Sequence, residues 1–166
     1  MRGLSSKEME IVSWLEFYKK YFFSAKDIEQ FSKSRMQRYN IIKGLIQKGR
    51  IVKLGKTRYC LVPVKAKSGK WAEHPFIIAD EACGGKDYFI GGWAAANYWG
   101  LTEQIPMQTD VYTTRRQGVL EALSSRIVFH RTTKAKAERA VKKEISKHRF
   151  RIQPKKDSRK WMESRQ

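Results

Sequence analysis

Ser34-Arg-Met-Gln-Arg-Tyr-Asn-Ile-Ile-Lys-Gly-Leu-Ile-Gln-Lys-Gly49-Arg-Ile-Val-Lys-Leu-Gly-Lys-Thr-Arg-Tyr-Cys-Leu-Val62 changes its hydrophobic period half-way along. In the first half Ile42, Leu45 and Ile46 fall at helical spacing and form a core stripe. Ser34 stands where an N-cap belongs, and Gly49 where a C′ residue belongs. In the second half, residues 50–62 read as two short β runs around Gly55-Lys56, with glycine placed for a type II′ hairpin turn. Pro63 ends the second run.

Upstream, Ser5-Ser6-Lys7-Glu8 has the spacing of a capping box and opens a first helix. Met9, Val12, Leu15 and Tyr18 give that helix an apolar face, and Lys19-Lys20 close it favourably against its dipole. Ser24-Ala-Lys-Asp27 begins a second, short helix with Ile28 and Phe31 inward. Three helices followed by a hairpin is the order of a winged helix-turn-helix, whose third helix enters the major groove while the hairpin lies on the backbone or in the minor groove. On the third helix Arg35, Gln37, Arg38 and Asn40 are the candidate base readers, because Arg pairs with guanine and Asn or Gln with adenine. Ser34, Lys43, Lys53, Lys56 and Arg58 are the candidate phosphate contacts. Tyr39 is read as a core residue.

The charge distribution agrees with a polyanionic partner. The chain of 166 residues carries a net +19. Residues 1–63 and 134–166 hold +9 each, around a middle of +1. Five Trp, seven Tyr and eight Phe within 41% apolar residues exclude a disordered polycation. Two cysteines, Cys60 and Cys83, exclude a disulfide framework or a zinc site of several thiolates. No run approaches a membrane span and the N-terminus has no signal-like apolar stretch, so a soluble cytoplasmic protein without a membrane partner is expected.

The expected organisation is a winged helix over residues 1–63, a linker over 64–70, an α+β domain over 71–153 and a basic tail over 154–166. Within the second domain, residues 75–79 read as a buried strand, 93–99 as a small-residue helix closed by Gly100, and 109–114, 126–131 and 149–152 as strands. Residues 134–147 read as one basic helix with Ala137, Ala140, Val141 and Ile145 on its apolar side. Its Lys134, Lys136, Arg139, Lys142 and Lys143 are further candidate phosphate contacts, with Lys147 beside them. Lys155, Lys156, Arg159, Lys160 and Arg165 continue into a tail that Pro154 detaches.

Phe89-Ile-Gly-Gly-Trp-Ala-Ala-Ala-Asn-Tyr-Trp-Gly-Leu-Thr-Glu-Gln104, followed by Val111-Tyr-Thr-Thr114, resembles the signature of the AbiEi-type antitoxins of type IV toxin–antitoxin, or abortive-infection, systems. The resemblance spans roughly residues 1–150 and is to a short form, since the family's C-terminal domain is usually longer. It implies a transcriptional repressor of its own operon, bound to double-stranded DNA. The partner it implies is a nucleotidyltransferase-like toxin. A dimer on an inverted-repeat site fits such a regulator.

No enzyme, cofactor or metal is expected. Asp80, Glu81, Asp87, Glu103 and Asp110 lack the Asp-x-Lys or Glu-x-Lys spacing of a metal-dependent nuclease, and Asp80 and Glu81 would diverge on a strand. His74, His130 and His148 lie far apart in sequence, Cys83 has no matching His motif, and no phosphate-cradling glycine motif occurs. Two other classes compete. An unrecognised DNA- or RNA-processing enzyme would show itself on plasmid DNA with and without Mg²⁺. A protein-docking adaptor would bind with little salt dependence.

Overall fold

Ser5 accepts a hydrogen bond from the Glu8 amide at 3.2 Å, and Glu8 Oε2 accepts one from the Ser5 amide at 2.7 Å. This reciprocal cap starts α1 (Ser6–Phe17), the first helix of a computed structural model that describes residues 3–66 and 71–166. The chain divides into two units, Met1–Trp71 and Ala72–Gln166, each mixing helices with a sheet. Residues 67–70 of the expected linker lie outside the described residues.

In the first unit α1 is followed by β1 (Phe22–Phe23), a 3-10 helix (Ala25–Phe31), α2 (Arg35–Gln47), β2 (Ile51–Lys53) and β3 (Tyr59–Leu61). The three strands form an antiparallel sheet in the order β1-β3-β2. The core joins Ile11, Val12 and Leu15 of α1 to Ile42 and Leu45 of α2 and to Phe23, Ile28, Ile51 and Leu61. Met9 and Tyr18 are exposed rather than inward. The buried stripe is Glu8, Ile11, Val12 and Leu15: Val12 and Leu15 are inward as expected, while Glu8 and Ile11 replace Met9 and Tyr18. Ile46, read as core, is 38% exposed. The β2–β3 connection also differs from a two-residue turn. The amides of Leu54 and Gly55 both donate to the Arg58 carbonyl, at 2.9 and 3.3 Å, and the loop spans residues 54–58 because Leu54 is drawn into the core.

Glu8 explains a glycine in the middle of α2. A Cβ on Gly44 would stand 2.7 Å from Glu8 Oε1. Its absence lets α2 close over the carboxylate, which also accepts from Lys48 Nζ at 2.5 Å. Burial by itself would raise the Glu8 pKa. The Lys48 ammonium and the Ser5 amide and hydroxyl outweigh it and hold the group below the ordinary 4.5.

The second unit contains α3 (Pro75–Cys83), β4 (Tyr88–Gly91), α4 (Gly92–Tyr98), β5 (Thr109–Thr113), β6 (Gly118–Ala122), β7 (Ser125–Arg131), α5 (Lys134–Glu138), β8 (Val141–Ile145), β9 (His148–Ile152) and α6 (Lys155–Glu163). Six strands form one mixed sheet in the order β6-β7-β5-β4-β9-β8, parallel at β5–β7 and β4–β9 and antiparallel elsewhere. Tyr88, Ile90 and Val111 are buried on the face that α3 covers. Alternation places Phe89, Tyr112 and His130, which are cross-strand partners, on the other face.

Three expectations for this unit are corrected. Residues 75–79 are helical, because Pro75 sits in the first helical turn and His74 Nδ1 caps the Phe76 amide at 3.1 Å. The run Phe76–Ala79 is buried all round, which hides its period. The basic helix expected over 134–147 ends at Glu138. Val141 to Ile145 instead pairs antiparallel with β9 across a two-residue turn at Ser146 and Lys147, both with positive φ as a primed hairpin turn demands. Val141 and Ile145 are four apart, a spacing that fits helix and strand alike. Finally, Pro154 does not detach a tail. It is the N-cap of α6, whose Trp161 ring meets Trp93 of α4 edge to face with centroids 5.2 Å apart.

The Phe89–Gln104 segment has local structural uses. Gly92 has φ +58°, and a Cβ there would stand 2.9 Å from Asp110 Oδ2, while one on Gly91 would stand 2.7 Å from the Tyr112 ring. Asn97 Nδ2 donates to the carbonyls of Thr102 and Gln104, tying the end of the segment to α4. No described helix is long and apolar enough to cross a membrane.

Candidate nucleic-acid interface

Ser34 Oγ accepts from the Gln37 amide at 3.1 Å and fixes the start of α2. With Ile42 and Leu45 inward, the outward face carries Met36, Asn40, Lys43 and Gln47, all exposed, and Arg35 and Tyr39, also exposed, stand on its flank toward Ile42 and Ile46. No acidic residue occurs on the helix. Arg35 at the first helical position is unfavourable beside the positive end of the helix dipole. Part of this face meets Lys53 of β2 around a cavity of about 320 Å³ that Arg35, Tyr39 and Lys43 also line. Lys56 stands exposed on the 54–58 loop, and Arg58 is half-buried there.

The expected base readers are not equivalent. Arg35 and Asn40 are exposed and outward. Gln37 is exposed but its Oε1 accepts from the Lys33 amide at 2.6 Å, so it serves the helix start. Arg38 is half-buried. Its Nε donates to Ser32 Oγ at 3.3 Å, and its guanidinium lies 4.0 Å from Glu29. Tyr39 is corrected from core to surface: it is 60% exposed, beside Met36 at 67%. Met36 lies opposite Leu45 on the wheel, but Tyr39 stands three residues before Ile42 and seven before Ile46, on the flank of the apolar stripe, so periodicity favoured a core position for it.

In the second unit the expected phosphate contacts separate. Lys134, Lys136 and Arg139 belong to α5 and its C-cap, with Lys134 4.0 Å from Glu138 and Arg139 2.7 Å from Asp157. Lys142 and Lys143 sit exposed on β8, an edge strand, where lysines guard open backbone groups against pairing with another chain. Lys143 Nζ also lies over the Trp99 ring at 5.5 Å.

Two carboxylate–histidine pairs appear that sequence distance concealed. Asp110 Oδ1 lies 2.8 Å from His130 Nε2 across β5 and β7. Asp80 Oδ2 lies 2.9 Å and Glu81 3.8 Å from His148 Nε2. Asp80 and Glu81 therefore do not diverge: α3 turns both toward the start of β9, and the three side chains offer ligand atoms within 4.8 Å of one another. Tyr88 donates to Asp80 Oδ1 at 2.7 Å, so the group fastens α3 to the sheet. Burial pushes the Cys83 thiol up to about 12, which keeps it protonated and inert at neutral pH.

No protein-family model matches the chain, and no curated protein is similar to it. Among solved structures the chain is similar to the RV2827C protein from Mycobacterium tuberculosis, at 15% identity and a TM-score of 0.53. The match covers 81% of this chain and 48% of that one, so the chain spans about half the length of its neighbour. That likeness is one of fold.

Proposed function

We propose that the chain is a double-stranded DNA-binding transcriptional regulator, with Met1–Trp71 as a winged helix-turn-helix. In this reading α2 is the recognition helix and the β2–β3 hairpin is the wing. The observation that carries it is the outward face of α2. Arg35, Tyr39 and Lys43 line one cavity with Lys53 of β2 and no acid, and Asn40 is exposed on the same helix. A cation at the first position of a helix costs stability, and a nearby phosphate offsets that cost. Arg35 and Asn40 suit base edges, Tyr39 and Met36 suit thymine methyl groups, and Lys43, Lys53 and Lys56 suit phosphates.

The resemblance of Phe89–Gln104 and Val111–Thr114 to the AbiEi signature supports a narrower reading: an antitoxin-type repressor of its own operon, paired with a nucleotidyltransferase-like toxin. Fluorescence anisotropy of the full chain on a labelled duplex, read against salt, tests the DNA claim. Binding should weaken steeply, and Lys56→Ala should flatten the slope of log affinity against log salt by about 0.9. A slope near zero would favour the adaptor.

A further inference from the structure

The unit Ala72–Gln166 holds a cavity of about 590 Å³ over the sheet face that α3 does not cover. Its size is that of a small-molecule site. One wall is aromatic. Phe89 of β4 and Tyr112 of β5 stack with centroids 5.1 Å apart and planes 8° from parallel, and His130 of β7, outside the lining, backs Tyr112 at 4.9 Å. Trp161 of α6 adds a further aromatic surface to the lining. Gly91 makes the row possible, since any side chain there would strike the Tyr112 ring.

The rest of the lining is mostly polar, with Thr132, Thr133 and Gln153 among three cations. Arg131 from the end of β7, Lys136 from α5 and Arg139 from its C-cap all reach the cavity, with Asp157 as its acid. Asp157 is engaged by Arg139 at 2.7 Å, and Arg131 uses Nη1 on the Thr114 carbonyl at 2.8 Å. The balance is therefore about two positive charges beside a row of rings. Apolar rings next to excess cations match one ligand chemistry well: a flat heteroaromatic base bearing a phosphate. A purely apolar ligand would leave the cations without a counter-charge, and a bare phosphate would leave the aromatic wall unused.

We propose that this cavity binds a phosphorylated nucleoside, with the base against the Phe89–Tyr112–Trp161 rings and the phosphate held by Arg131, Lys136 and Arg139. Free nucleotide and an unpaired nucleotide of a nucleic-acid strand share this chemistry. The site takes up the phosphate-contact reading of Lys136 and Arg139, and it is independent of duplex reading by α2.

Titration calorimetry of the full chain with AMP, adenosine, ribose 5-phosphate and a single-stranded oligothymidylate of about eight nucleotides tests it. AMP should bind more tightly than adenosine or ribose 5-phosphate. If the oligothymidylate binds and AMP does not, the source is a strand; if AMP binds as well as the oligomer, it is free nucleotide. In either case Lys136→Glu, an exposed position that leaves the fold intact, and Tyr112→Leu should each weaken binding about tenfold. Lys43→Ala on α2 should weaken it less than Lys136→Glu does, which separates this site from the duplex site. The proposal is overturned if neither AMP nor the oligomer binds at millimolar concentration. It is equally overturned if binding is indifferent to Lys136→Glu, or if adenosine binds as tightly as AMP does where AMP binds.

Discussion

The Lys33 amide donates to Gln37 Oε1 at 2.6 Å, folding that glutamine back over the first turn of α2. Bidentate reading of adenine needs the same oxygen as an acceptor and the amide nitrogen as a donor. The side chain is thus committed to the helix start. Gln37→Ala should cost about 0.5–1 kcal/mol in unfolding free energy through the lost cap. It should leave the ratio of specific to random duplex affinity unchanged. A changed ratio with unchanged stability would put Gln37 at the bases.

Arg35 and Tyr39 carry the opposite expectation. Both are exposed, so truncation should hardly alter thermal stability. Arg35→Ala should lose about 1–3 kcal/mol of discrimination at one base pair. Tyr39→Ala should weaken binding chiefly to duplexes with thymine under the ring. Anisotropy on a panel of single-base-pair variants of a bound duplex checks both.

Much of the first unit was legible in the sequence because its signals are local. The Ser5 capping box, the Ser34 cap and the Gly49 stop each act within a few residues, and they place α1 and α2 closely. What failed there was orientation. The stripe Glu8, Ile11, Val12, Leu15 contains a carboxylate, and Lys48, forty residues on, joins the local Ser5 cap in making its burial tolerable. In the second unit the misread elements are those whose partners are distant. Val141–Ile145 becomes a strand because β9 lies beside it, and Asp80 meets His148 only once α3 packs on the sheet. The aromatic row Phe89–Tyr112–His130 is likewise invisible until three strands are in register.

The Glu8 pKa sets a pH response. Its folded value lies below its unfolded value near 4.5, so the stabilisation is complete above that pH and is lost as pH falls through the lower folded value. The melting temperature of the first unit should therefore fall as the pH drops below about 4.5. Glu8→Gln should cost about 1–3 kcal/mol at neutral pH and flatten that acid limb. Gly44→Ala should destabilise as well, despite alanine's better helix propensity, since its Cβ would stand 2.7 Å from Glu8 Oε1. Melting curves of the three proteins across this range decide the matter.

Removing α6 should damage the second unit. Trp161 packs on Trp93 and Ser158 is fully buried, so a chain ending at Ile152 exposes the surface of α4. Trp161→Ala should cost about 2–3 kcal/mol, the lower end for a large aromatic because the ring is half-buried. Hydrogen exchange of the β4 and β9 amides should rise in the truncated chain. Unchanged protection would mean that α6 is an appendage and that its cations act independently of the fold.

Selection of bound duplexes from a random-sequence pool, run in parallel with the parent chain and with Arg35→Ala/Asn40→Ala, tests the role of α2 most directly. The account predicts that the parent enriches a defined motif within a few base pairs and that the double variant loses that motif while still retaining DNA through Lys43, Lys53 and Lys56. Enrichment of the same motif by both proteins, or of none by the parent, would contradict it.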